Sequence, residues 1–277
     1  MNQTRTCPVC MHHCRLAPGQ LGRCRARKNE QGRIVSVNYG KVTALALDPI
    51  EKKPLRQFYP GSKILSVGSF GCNLSCPFCQ NHEISMCGEQ AADHVEMTPL
   101  QLADLAEEMQ KRGNIGVAYT YNEPLIGHEF VRDCAAIVHA RGMKNVVVTN
   151  GSVQLEILEM LLPDIDAMNI DLKGFTAAHY QRLGGDLPTV QEFIARAARS
   201  THVEVTTLIV PGENDTEEEM AAEAEWLASI DPQIPLHVTR FFPHYRMQER
   251  GATDIALIYR LREVASAYLP HVYVGNC

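Results

Sequence analysis

Three cysteines, Cys72, Cys76 and Cys79, stand in a C-x3-C-x2-C run. Each can give one thiolate to one iron, and thiolates are the usual ligands of iron–sulfur clusters. So short a run cannot stay straight and bring three sulfurs to one cluster. It must curl, and Gly71 and Pro77 favour a loop over a helix or strand. A cubane with three protein ligands keeps one iron open, much as a catalytic zinc keeps an open position. The competing chemistry is zinc, because C-x2-C is also zinc spacing and Cys87 could close a four-thiolate site. A second set, Cys7, Cys10, Cys14 and Cys24, reads C-x2-C-x3-C-x9-C, with Pro18, Gly19 and Gly22 between. These four could close a tetrahedral zinc site or hold a second cluster. His12 and His13 are alternative ligands there, though two exposed loop histidines are the simpler reading. Cys134 has no motif spacing.

Composition bounds what these residues can serve. The 277 residues are 45% hydrophobic and 21% charged, enough for one large α/β domain and a small appendage. Ten cysteines without an apolar signal core read as metal or redox chemistry in the cytoplasm, not as a disulfide scaffold. No apolar run approaches a membrane span. Residues 1–60 carry 11 Lys+Arg against 3 Asp+Glu, and residues 61–277 carry 15 against 29. A basic appendage docked on an acidic body is the simpler reading; attraction of an acidic partner or RNA is the alternative, and no motif supports nucleic-acid binding.

The elements that must position the cysteines follow from periodicity. Residues 33–39 alternate like a half-buried strand, and 48–54 read as a rigid crossing without packed periodicity. The boundary between a Cys-rich segment, 1–60, and a main domain, 61–277, is expected at Pro60-Gly61. Beyond it, strands are expected at 63–69, 115–121, 144–149, 165–172, 203–210 and 236–242, with a last short one at 271–274. Helices are expected at 99–112, 124–141, 152–162, 177–182, 190–200, 215–230 and 252–268. Six βα units with short β-branched strands imply parallel strands covered by helices, too few for a closed eight-stranded barrel. In folds of this type, functional residues gather at the C-terminal ends of strands.

The motifs at those ends can be tested in turn. The cysteine loop follows the first strand. Asn122-Glu123-Pro124 follows the second, Val148-Thr149-Asn150-Gly151 the third, and Asp171-Leu172-Lys173 the fourth. Val210-Pro211-Gly212 follows the fifth, and Phe242-Pro243-His244 the sixth. Singly, each reads as a cap, a turn or a surface ion pair.

Together they resemble the radical SAM superfamily, and most closely the activating enzymes of glycyl-radical enzymes. That resemblance implies a partial (β/α)6 TIM-like barrel and a [4Fe-4S] cluster on Cys72, Cys76 and Cys79. It also implies S-adenosylmethionine (SAM) chelated to the open iron and split reductively to a 5′-deoxyadenosyl radical that abstracts a hydrogen atom. Phe78 and His244 are expected at the adenine, with Val210 beside it. Asn122 and Glu123 match the motif that binds the methionyl amino group, although Asn122 stands where the family has a second glycine. Thr149 and Asn150 match Asp-Thr-Asn-Gly with Val148 replacing the aspartate, which removes one ligand of a monovalent cation site. Asp171 is expected at the ribose and Lys173 at the SAM carboxylate.

The first cysteine set, the segment 48–55 and Gly71-Cys72-Asn73 are similar to the AmmeMemoRadiSam-system radical SAM enzymes. Members often continue into a cysteine-containing tail, whereas this chain stops at Cys277. The implied partners are an electron donor such as flavodoxin or ferredoxin and a target: a glycine of a partner protein, another protein residue or a small molecule. The contrasting expectation is a non-catalytic module with structural zinc at both cysteine sets.

Overall fold

The apolar β-branched runs become an eight-stranded sheet. The computed structural model describes residues 3–277. In chain order the strands are β1 (Ala44–Pro49), β2 (Lys63–Gly68), β3 (Asn114–Tyr119), β4 (Lys144–Thr149), β5 (Ala167–Asp171), β6 (His202–Ile209), β7 (Leu236–Arg240) and β8 (Val272–Gly275). They lie side by side in that order. All neighbours from β2 to β8 are parallel, and β1 joins β2 antiparallel. β1 and β8 are not paired, so the sheet stays open. Six helices cover it: α1 (Pro99–Met109), α2 (His128–Ala140), α3 (Leu155–Leu161), α4 (Leu187–Ala197), α5 (Glu217–Ile230) and α6 (Ile255–Ser266). Local chemistry starts them: Thr98 and Gln101 form a capping box before α1, and Asp186, Thr216 and Asp254 cap α4, α5 and α6.

Side chains two apart on a strand share a face. One face of the sheet sends Leu65, Val67, Val117, Tyr119, Val147, Met168, Ile170, Val205 and Val238 into the core under the helices. The other face lines the barrel interior with smaller or polar residues, among them Val148, Asp171, Thr206, His237 and Thr239. This division makes the strands read as apolar runs interrupted by polar positions.

The segment 48–54, expected as a rigid crossing without packed periodicity, is partly strand. Its start belongs to β1, which pairs with β2 from Ala44↔Gly68 to Pro49↔Lys63. An edge strand tolerates Pro49 and needs no clean alternation, so its sequence carried little strand signal. The sheet therefore contains residues on both sides of position 60. The chain then crosses the N-terminal end of the barrel, where Ile50 and Leu55 are fully buried against Ile64, Ala118, Val146 and Ala167. Before β1 lie two small hairpins, Arg5–Thr6 with Arg15–Leu16 and Arg27–Glu30 with Arg33–Ser36. Among the described residues no helix is long and apolar enough to cross a membrane.

Candidate active site

The cysteine loop leaves β2 and curls because its backbone is tied at both ends and in the middle. Gly71 N–H donates to the Ile84 carbonyl at 2.9 Å, Ser75 N–H to Leu183 at 2.8 Å, and Arg246 N–H to Pro77 at 2.9 Å. Gly71 has φ +88°, and a Cβ there would lie 2.4 Å from the Cys24 carbonyl oxygen. Only glycine fits that turn and that approach.

Cys72, Cys76, Cys79 and Phe78 line a cavity of about 520 Å³ at the C-terminal ends of the strands. Among the described residues, no three or more Cys, His, Asp or Glu side chains are gathered closely enough to hold a single metal ion. A mononuclear zinc needs thiolates about 3.8 Å apart, from Zn–S bonds of about 2.3 Å. Three cysteine thiols opening on one cavity are the usual donor set of an iron–sulfur cluster, so the residues present fit one. Cys87 does not line this cavity. Burial pushes the Cys72 and Cys76 thiols up, Cys76 to about 11, so loading must displace protons. Cys7, Cys10 and Cys24 are buried and Cys14 half-buried beside the same loop. They too are not drawn around a single point.

Glu123 organises the next two strand ends. It is 2% exposed. Oε1 accepts from Leu125 N–H at 3.0 Å and the Thr149 hydroxyl at 2.8 Å, and Oε2 accepts from Asn150 N–H at 2.8 Å. Burial pushes its carboxyl up to about 7, against those hydrogen bonds. Asn122, in the place of a glycine, uses its side chain on the cysteine loop. Its amide donates to the Phe70 and Gly71 carbonyls at 3.2 and 3.1 Å and accepts from Ser69 N–H at 3.0 Å. The Asn150 amide reaches Asn73 Oδ1 at 2.9 Å and Cys72 Sγ at 3.6 Å.

Across the cavity, Lys173 Nζ donates to Asp171 Oδ2 at 2.9 Å. Burial opposes the lysine charge, but the charges of Asp171 and Cys76 outweigh it and raise its pKa. Both residues line the cavity, as do Phe78, Asn122, Glu123, Thr149 and Asn150.

Two expected residues lie elsewhere. Val210 is fully buried with Leu74, Cys76, Phe78, Leu183 and Phe241, packed with the loop and not among the cavity-lining residues. His244 also lies outside the lining, edge-on to His82 with centroids 5.2 Å apart. The turn beyond β7, with Tyr245 at φ +51°, carries it to the short helix after the cysteines.

The motifs missed other lining residues. His237, 4% exposed, donates through Nε2 to Glu204 Oε2 at 2.6 Å. Glu204 also accepts the Arg56 and Gln57 N–H groups at 2.9 and 2.8 Å and pairs with His202 at 3.0 Å. Despite its burial, these contacts hold it ionised, with a pKa of about 2. The one signal for this cluster was polar residues at inner positions of apolar strands, Glu204 and His237. Tyr121, at φ +72°, lines the cavity with its hydroxyl on Asp48 at 2.7 Å.

Known proteins resemble this chain over most of its length. An uncharacterised protein of Methanocaldococcus jannaschii is 37% identical over 98% of the chain and 80% of its own length. A probable GTP 3′,8-cyclase of Methanosarcina acetivorans is 26% identical over 66% of the chain and 60% of its own. The 4-hydroxyphenylacetate decarboxylase activating enzyme of Clostridioides difficile is 29% identical over 75% and 68%. In structure, the chain superposes on a domain of a pyruvate-formate lyase-activating enzyme from Bacteroides vulgatus with a TM-score of 0.51, at 20% identity. The match covers 58% of this chain and 99% of that domain. That likeness and the open parallel sheet make the fold a partial TIM barrel. The radical SAM superfamily profile matches residues 66–227, more than half of the sequence. The chain belongs to the radical SAM superfamily.

Proposed function

We propose that this protein cleaves SAM reductively and abstracts a hydrogen atom from a target. The observation that carries the reading is that Cys72, Cys76, Cys79 and the Asp171–Lys173 pair open into one cavity. The three cysteines would hold a [4Fe-4S] cluster. Such a cluster would supply the single electron, drawn from a flavodoxin- or ferredoxin-like donor, that divides the SAM sulfonium into methionine and a 5′-deoxyadenosyl radical. Lys173 meets the methionyl carboxylate, and Asp171 faces the ribose. Phe78 packs on the adenine, with Val210 backing the loop from behind. Asn122, Glu123, Thr149 and Asn150 frame the methionyl end, with Glu123 as the brace. His244 packs on His82 outside that cavity. The segment 1–60 acts as a Cys-rich appendage carrying zinc or a second cluster on Cys7, Cys10, Cys14 and Cys24. The body, 61–277, carries the chemistry, with β1 and the segment after it completing its sheet and cavity. The same appendage and the segment 48–55 support the AmmeMemoRadiSam-type subfamily.

The leading target is a glycine of a partner protein, supported by the C. difficile activating enzyme among the relatives. One observation favours a small-molecule target instead. The cavity continues past the SAM-facing residues to His237, Thr206 and Arg56, a polar end suited to a hydrogen-bonding molecule. The test is 5′-deoxyadenosine formation by anaerobically reconstituted, reduced protein supplied with SAM. Product is expected. Its absence from protein with a full cluster would remove the proposal in favour of a structural metal module.

A further inference from the structure

We propose that Asn150 is a positioning residue for the cysteine loop that raises the reduction potential of the cluster by donating an amide N–H to the Cys72 sulfur. The proposal rests on the reading above only in requiring a cluster at Cys72, Cys76 and Cys79. By motif, Asn150 belongs with the SAM-facing residues. Its geometry commits every polar atom of its side chain to the protein. The residue is 5% exposed. Its backbone N–H is held by Glu123 Oε2 at 2.8 Å, and Oδ1 accepts Ser152 N–H at 2.9 Å. These two bonds fix the backbone and the amide plane. Nδ2 then has two hydrogens, and two acceptors stand before it: Asn73 Oδ1 at 2.9 Å and Cys72 Sγ at 3.6 Å. Asn73 is fully buried and is itself fixed by donating to the Ser152 carbonyl at 2.8 Å. The amide therefore has no free rotation away from the sulfur.

Cys72 Sγ receives one further donor, Leu74 N–H at 3.4 Å. An N–H dipole aimed at a ligand sulfur stabilises the electron-richer state, so it favours the reduced cluster.

The test is an EPR-monitored redox titration, without SAM, of the full reconstituted chain, after iron and sulfide are quantified. Asn150→Asp keeps the acceptor for Ser152 and the shape but offers no N–H to Cys72. Asn150→Ala removes the donor without adding charge. Both should lower the midpoint. At a fixed potential the reduced-to-oxidised ratio should fall about tenfold, equivalent to about 59 mV for one electron. Wild-type midpoints in both variants would overturn the proposal. Should neither variant load iron, the wild-type protein labelled with nitrogen-15 on its asparagine side chains decides. A hyperfine coupling from the reduced cluster to a labelled nitrogen is expected, and its absence overturns the proposal. If wild-type protein itself loads no cluster on these cysteines, the radical reading fails, and that outcome is distinct from an unchanged midpoint.

Discussion

Cys76 is buried in the wall of the cavity and is one of three cysteines that line it. Cys76→Ala is expected to lose the cluster and all SAM cleavage while the barrel stays folded, since the helices pack on the opposite sheet face. Iron content and 5′-deoxyadenosine yield check this, and full yield from the variant would remove the assignment. Cys134→Ala, in the apolar face of α2, should keep its activity. Lys173 makes a finer test. Its ammonium is half-buried against Asp171, and a charge-assisted contact with a carboxylate is worth about 1.5–3 kcal/mol. Lys173→Ala should weaken SAM binding about 10- to 150-fold with cluster loading unchanged. SAM titration followed by the cluster spectrum measures it, and wild-type affinity would take Lys173 out of the site.

At the scale of elements, the turn after β2 and the packing of α5 give separate predictions. Gly71→Ala must place a Cβ against the Cys24 carbonyl with φ in the left-handed region. A strained backbone of this kind costs about 1–3 kcal/mol. Gly19→Ala, also at positive φ but with open space around its Cβ, isolates the clash. Denaturant midpoints and iron per chain should fall further in Gly71→Ala than in Gly19→Ala. In α5, Glu223 is buried against β6, where it accepts from the Thr207 hydroxyl. Burial pushes its carboxyl up to about 8 from 4.5. The folded state therefore keeps a proton that the unfolded chain has lost above pH 4.5. Stability from this group is full below pH 4.5 and falls as pH rises towards 8, by about 1.4 kcal/mol per unit in between. Glu223→Gln should be more stable than wild type at pH 8, with the gap closing towards pH 5. Parallel unfolding curves from pH 5 to 8 would contradict this.

Across the whole molecule, the Cys-rich N-terminus sits on the cluster loop. His12 Nε2 lies 2.8 Å from the Asn73 carbonyl oxygen, and Gln154 N–H donates to Val9 beside the Thr149-Asn150-Gly151 turn. The basic segment also docks by charge: Arg27, 4% exposed, pairs with Glu129 of α2 at 2.6 Å. Any metal on Cys7, Cys10, Cys14 and Cys24 would lie against the barrel. The Cys72/Cys76/Cys79 triple alanine variant should retain that metal, read by elemental analysis. No zinc and no iron in the purified variant would leave those four as free thiols.

What the sequence determined by itself was whatever depends on short spacing. The C-x3-C-x2-C run, the capping residues and the parallel βα order are local, and a few neighbouring residues suffice to express them. Asp171 closes β5, and Lys173, two residues beyond it, opens on the same cavity because Leu172 N–H still donates to the Thr206 carbonyl at 3.0 Å and prolongs the ladder past the strand end. Tertiary structure decided what lies beyond the strand ends and between distant segments. Val210 and His244 follow their strands by one and four residues, where the chain has turned and alternation no longer holds. The side chains of Asn122 and Asn150 face the cysteine loop because bonds across 52 and 77 residues hold them there. Glu204 is ionised in the interior because β6, β7 and the segment after β1 converge on it, and no linear spacing encodes that convergence.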